Sequence, residues 1–130
     1  MGNIENKSAT AVKTSELIWQ DMQHQELFRI LAILATAPEK NVLQRLINYG
    51  NDHFSIEEEY MKRLNYPHLA SHLKLHQHFS NTIKAYMSSQ CIFDEKSAIE
   101  LSSYLTNWLS THIFTVDKEF EAFVLQSQLK

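Results

Sequence analysis

Five of the seven histidines in this 130-residue chain fall at spacings that would let them act together, and two carboxylates fall with them. His53 and Glu57 are four residues apart, as are His72 and His76, so on a helix each pair leaves from one face and can grip a single metal ion. His24 shares a three- and four-residue apolar repeat with Leu17, Leu27, Phe28, Leu31 and Leu34. His112 lies on a similar repeat with Leu105, Trp108, Leu109 and Phe120, and Asp117 follows it by five residues. Taken singly these are weak signals. A lone inward histidine is more often a hydrogen-bonded core residue, and Glu57-Glu58-Glu59 reads most simply as a solvated face. Taken together, five imidazoles and two carboxylates inside one fold would cost on the order of several kcal/mol unpaired, and a metal centre removes that cost.

Imidazole suits zinc, copper, iron and nickel, while carboxylates can bridge two ions. Seven ligands exceed the four of a tetrahedral zinc site. Two octahedral ions accommodate them if Glu57 and Asp117 each bridge: five imidazoles, four carboxylate oxygens and two contacts from a shared oxo or hydroxo group fill eleven of twelve positions. One position stays open for a ligand from outside.

Helices must position these groups, because proline occurs only at Pro38 and Pro67 and β-branched residues never alternate as in strands. The periodicity predicts a first helix from about Ser15 to Ala35, a turn at Ala37-Pro38-Glu39, and a second helix started by Pro38 and running to about Leu64. Gly50 inside it costs roughly 1 kcal/mol of helix propensity. After a break at Asn65-Tyr66-Pro67, a third helix carries Leu69, His72, Leu73, His76, Phe79, Ile83 and Tyr86 on one side. Ser97-Ala98-Ile99-Glu100 fits a capping box and predicts the start of a fourth helix, which runs to about Leu125 with Leu101, Tyr104, Leu105, Trp108, Leu109, His112, Val116 and Phe120 inward. Ser55-Ile56-Glu57-Glu58 has the same pattern but sits mid-helix, where it is coincidental. The expectation is an all-α, up-down-up-down antiparallel four-helix bundle over residues 15–128, preceded by a short N-terminal arm, residues 1–14.

Composition narrows the function. A 44% hydrophobic chain of this length makes one domain with a real core. Its net charge of −3 offers no basic surplus for nucleic acid or an anionic membrane. Glycine only at Gly2 and Gly50 excludes both the GxGxxG turn and the P-loop. The lone Cys91, in a predicted loop with no base partner, suggests neither a disulfide nor a catalytic thiol. With no signal pattern and no long apolar run, cytoplasm is the expected compartment.

Read in order, Asp21-Met22-Gln23-His24 leading into Leu27-Phe28, Tyr49, His53-Phe54-Ser55-Ile56-Glu57-Glu58, Met61, Tyr66-Pro67, His72 with His76, and Trp108-Leu109-Ser110-Thr111-His112-Ile113 with Asp117 resemble the hemerythrin family, above all its single-domain bacterial branch. The resemblance spans about residues 17 to 124, and all seven ligand positions occur in order. It implies a non-haem di-iron centre with an oxo or hydroxo bridge that binds one dioxygen reversibly. Carried over, His72, His76 and His112 would hold one iron, His24 and His53 the other, and Glu57 and Asp117 would bridge them. Leu27, Phe54, Trp108, Leu109 and Ile113 would line the oxygen pocket and keep it dry. His68 and His78 match no ligand position and are expected on the surface.

Two features depart from, or strain, that pattern. The family's lead-in to the first ligand helix commonly carries Trp and Gly, whereas here residues 10–16 read Thr-Ala-Val-Lys-Thr-Ser-Glu and Trp19 falls within the helix. His112 and Asp117 would point about 140° apart on an ideal α-helix, so bringing both to one centre needs a wide interface or a local bulge. The leading function is oxygen storage, delivery or scavenging by a monomer or weak oligomer. Oxygen or redox sensing through a partner, or turnover of peroxide or nitric oxide, are the alternatives, and an oxidase or a signalling protein would be the partner. The carboxylate-rich pattern of ferritin-like di-iron enzymes is not the one present.

Overall fold

A computed structural model describes residues 12–89 and 92–128, leaving Cys91 outside the described residues. Helix α1 spans Ile18–Thr36, α2 Lys40–Arg63 and α3 Leu69–Ser88. The fourth helix is continuous but changes character: α4 covers Glu95–Thr111, a π-helical segment covers His112–Asp117, and α5 covers Lys118–Gln128. α1 packs against α2 and α4, and α2 against α3, giving the expected four-helix bundle with no strand among the described residues. None of these helices is long and apolar enough to cross a membrane.

The helix ends show which local signals prevail. α1 starts at Ile18 rather than near Ser15, because residues 12–17 are held in a non-helical segment, with the backbone and hydroxyl of Thr14 both tied to Asp21 Oδ1 at 2.7 Å. α2 ends in a Schellman motif in which Asn65 takes the left-handed conformation (φ 56°), its N–H donates to Lys62 O, and the Tyr66 N–H donates to Met61 O. α4 begins earlier than the Ser97 capping box predicts. Asp94 is the cap, its carboxylate accepting from the Ser97 N–H at 2.9 Å, and a carboxylate at that position also opposes the positive end of the helix dipole. The pattern at Ser55 lies within α2 and caps nothing.

The core is in two parts. The larger contains Leu27, Leu31, Leu43, Phe54, Phe79, Leu101, Leu105, Leu109 and Ile113, and the smaller contains Leu17, Met61, Tyr66, Phe120 and Val124. Each helix carries its candidate ligands between residues of the two clusters, so a polar layer separates them. Tyr104 and Val116, expected inward, depart from the stripe. Tyr104 is exposed and its hydroxyl meets His78 Nε2 at 2.9 Å, because Leu101, Leu105 and Leu109 already fill the inward face. Val116 is only half-buried, since the π-turn rotates its neighbour Asp117 inward instead. His68 and His78 are exposed.

Gly50 has a role that helix propensity alone does not reveal. A Cβ there would lie 3.1 Å from Cε1 of Phe79 and 3.9 Å from Cδ2 of Leu27. Phe79 is fully buried and held edge-on by Phe54 at 5.4 Å, so its ring has little room to yield. Gly50→Ala should therefore lower the thermal midpoint, overpacking costing roughly 1–3 kcal/mol against a helix gain of about 1. A rise in the midpoint would show that Phe79 moves aside freely.

Candidate metal centre

His24 on α1, His53 and Glu57 on α2, His72 and His76 on α3, and His112 with Asp117 on the π segment meet in the bundle interior, each no more than 3% exposed. They form two sets. One ligand atom each from His72, His76, His112 and Asp117 lies within 4.8 Å of the others, and His24, His53 and Glu57 do the same. The π segment brings the last two ligands together. With hydrogen bonds running from i to i+5, residues five apart return to one face, and His112 Nε2 stands 3.2 Å from Asp117 Oδ1.

Each carboxylate presents one oxygen to each histidine set. Glu57 Oε2 is 3.1 Å from His53 Nε2 and 3.7 Å from His24 Nε2, while its Oε1 is 3.3 Å from His76 Nε2. Asp117 Oδ1 is 3.0 Å from His72 Nε2 and 3.2 Å from His112 Nε2, while its Oδ2 is 3.2 Å from His24 Nε2. Despite these short separations, Nε2 of His24, His76 and His112, Oε1 of Glu57 and Oδ2 of Asp117 have no hydrogen-bond partner. Buried polar atoms that converge without bonding one another fit a donor set arranged around cations.

A surrounding shell sets the rings. The Thr14 hydroxyl has one proton, which goes to Asp21 at 2.7 Å, so it accepts from His24 Nδ1–H at 2.9 Å. His53 Nδ1–H donates to Gln23 Oε1 at 2.6 Å and His76 Nδ1–H to Glu58 Oε2 at 2.8 Å. All three partners hold the tautomer that leaves Nε2 free to ligate. Gln20 Nε2 donates to Glu57 Oε2 at 2.8 Å. The sequence reading missed Thr14, Gln20, Gln23 and Glu58 as supporting groups. Gln20 had a signal, since it sits four before His24 and seven before Leu27 on the inward stripe. Glu58 and Gln23 had only their adjacency to ligands, and Thr14 had none.

Aromatic rings wall the site: Phe54 stacks on His76 at 3.9 Å and Trp108 on His112 at 4.8 Å, both 12° from parallel. Leu27, Phe54, Leu109 and Ile113 are buried in the larger apolar cluster, and the half-buried Trp108 packs against it. Charge inside this wall is mutually compensated. Burial opposes ionisation of Glu57, but the facing imidazoles of His53, His24 and His76 hold it well below the usual carboxylate range. Burial and the Glu57 charge oppose ionisation of Asp117, but the facing imidazoles of His112, His24 and His72 hold it well below that range too. Burial opposes charge on His24 and His76 as well, yet Asp117 and Glu57 push the former, and Glu57 and Glu58 the latter, up to about 9.

Protons therefore stand in for cations in the metal-free protein. The two histidines bind protons more tightly folded than unfolded, so the stability this contributes is full below pH 6.5 and fades as pH rises through about 9. The melting temperature of metal-free protein should fall over that window, and metal should flatten the decline by replacing the protons. A metal-free midpoint that is constant or rises between those values would contradict this electrostatic reading.

The family model for the hemerythrin HHE cation binding domain matches residues 18–124. The chain is 31% identical over 112 residues to a myohemerythrin of Theromyzon tessulatum, covering 84% of this chain and 88% of that one. It is 28% identical over 122 residues to a bacteriohemerythrin of Stenotrophomonas maltophilia, covering 80% and 78%. A bacteriohemerythrin of Campylobacter jejuni is 28% identical over 107 residues, covering 76% of this chain and 80% of its own. No solved structure gives a significant match. With the family model extending over most of the chain, this protein belongs to the hemerythrin family.

Proposed function

We propose that this chain holds two iron ions with an oxo or hydroxo bridge and binds one dioxygen reversibly. His72, His76 and His112 hold one iron, His24 and His53 the other, and Glu57 and Asp117 bridge them. The observation that carries this reading is that each carboxylate turns one oxygen toward each histidine set, as a bridge between two cations must. Hemerythrins bind oxygen and are not enzymes, and the relatives' names agree with that class.

A ferrous pair held by these residues would supply the two electrons needed to bind dioxygen. The protein's own contribution is threefold. Nδ1–H bonds from His24, His53 and His76 fix ring orientation and strengthen each Nε2 as a donor. Gln20 holds the Glu57 carboxylate by donating to Oε2, so the bridge keeps its aim at both sets. Leu27, Phe54, Trp108, Leu109 and Ile113 exclude water from the side of the centre facing the larger core, which keeps a proton within the site and slows irreversible oxidation. Leu109 and Ile113 flank His112 on its own helix, and Leu27 lies one turn beyond His24, so these apolar groups border ligand candidates of both histidine sets.

The test is a visible spectrum of protein loaded with ferrous iron without air, exposed to oxygen and then purged with inert gas. A ligand-to-metal absorption band that rises with oxygen and disappears on purging is expected. Immediate conversion to a spectrum that purging leaves unchanged would overturn reversible binding. In the same cycle Leu109→Ala should lose the oxygenated form roughly tenfold faster by admitting water, and an unchanged rate would confine Leu109 to packing.

A further inference from the structure

Among the described residues, His24 is the one ligand candidate whose outer nitrogen is held by a residue outside the helices. Its Nδ1 meets the Thr14 hydroxyl at 2.9 Å, whereas Nδ1 of His53 and of His76 is held by Gln23 of α1 and Glu58 of α2. Thr14 and Ser15 are each only 1% exposed, although Lys13 and Glu16 on either side of them face water. It belongs to a strap, residues 12–17, fastened at several points. The Thr14 N–H and hydroxyl both donate to Asp21 Oδ1, Gln25 Nε2 donates to Val12 O at 2.8 Å, and the Glu16 N–H donates to Glu121 Oε2 at 3.2 Å. Leu17 enters the smaller apolar cluster beside Met61, Tyr66, Phe120 and Val124. The strap thus runs from the first helix to the far end of the fourth and touches a candidate ligand between.

We propose that Thr14 is a positioning residue for the metal centre, and that strap closure and metal retention are coupled through its hydrogen bond to His24. The inference rests on the metal reading above and adds a regulatory element that the ligand set does not contain. His24 faces both bridging carboxylates, 3.2 Å from Asp117 Oδ2 and 3.7 Å from Glu57 Oε2, so turning its ring removes the contact that joins α1 to both. On the other side of the ring the Thr14 hydroxyl is the hydrogen-bond partner, among the described residues, that opposes that turn. The carboxylate of Asp21 keeps the hydroxyl in its accepting role, because Asp21 takes the single Thr14 proton. A cation at Nε2 and a closed strap therefore favour the same ring orientation. By linkage, whatever the hydrogen bond adds to metal retention the metal must add to strap closure.

The strap carries its own reporter, since trypsin can cut after the exposed Lys13 only when the segment lifts from the bundle. Wild-type, Thr14→Val and Thr14→Ser chains are compared, each loaded anaerobically with ferrous iron and each metal-free. Loss of iron to a ferrous chelator and cleavage after Lys13 are followed. In wild type, iron should protect Lys13. Thr14→Val, isosteric but without a hydroxyl, should release iron roughly 10–100-fold faster, the range for outer partners of metal-bound histidine, and its loaded form should be cut as fast as metal-free protein. Thr14→Ser, which restores the hydroxyl, should return both rates toward wild type, whereas a role in packing alone would be served better by Val. Wild-type chain that holds iron while Thr14→Val matches it in both rates overturns this inference alone. Wild-type chain that takes up no iron overturns the metal reading and this inference with it.

Discussion

The whole bundle is arranged around one constraint, the burial of five imidazoles and two carboxylates in a single layer. Isolated, any of these groups would be expelled from the interior or forced neutral. Here each carboxylate is surrounded by imidazoles from three helices, and those of His24, His53 and His76 are anchored from behind by Thr14, Gln23 and Glu58. The layer divides the apolar core into two clusters, and both are needed to exclude water from it. Stability and function are therefore set by the same contacts. The metal-free site leaves buried donor atoms without hydrogen bonds, among them Nε2 of His24, His76 and His112, which a cation would engage.

The fourth helix shows how little backbone change such a layer requires. An α-helix from Glu95 onward would carry His112 inward and Asp117 away. Six π-helical residues absorb the difference without breaking the helix, and α5 resumes with Phe120 and Val124 facing the smaller cluster. The site is thus built on rigid elements at every ligand. The shell behind those ligands is less uniform, with Gln20 and Gln23 on α1, Glu58 on α2 and Thr14 on a non-helical strap.

The fold was legible because its periodicity is nearly uninterrupted: the inward leucines, the two prolines and the i,i+4 histidine pairs all point to the same four helices. The ligand residues were legible for the same reason, since a histidine on an apolar stripe is conspicuous. Local choices were harder to read. At the fourth helix the Ser97 capping box points to a start three residues too late, and Asp94 caps the helix instead. The spacing of His112 and Asp117 demanded a distortion but did not say whether a wide interface or a π-turn would supply it. Gly50 read as a small loss of helix propensity, whereas its cause is the Phe79 ring 3.1 Å from where a Cβ would stand. Thr14 could not be found in one dimension, because nothing in a polar arm marks the residue that will meet a histidine ten positions later.

The central claim is that two carboxylates join two histidine sets into one centre rather than two independent sites. The Mössbauer spectrum of fully oxidised, iron-loaded protein in an applied field tests this most directly, read together with the iron content per chain. Two ferric ions per chain, magnetically coupled to a diamagnetic ground state, are the predicted result, since only shared bridging ligands couple them so strongly. One iron per chain, or two that behave as uncoupled paramagnetic ions, would contradict the account, because Glu57 and Asp117 would then each serve a single ion.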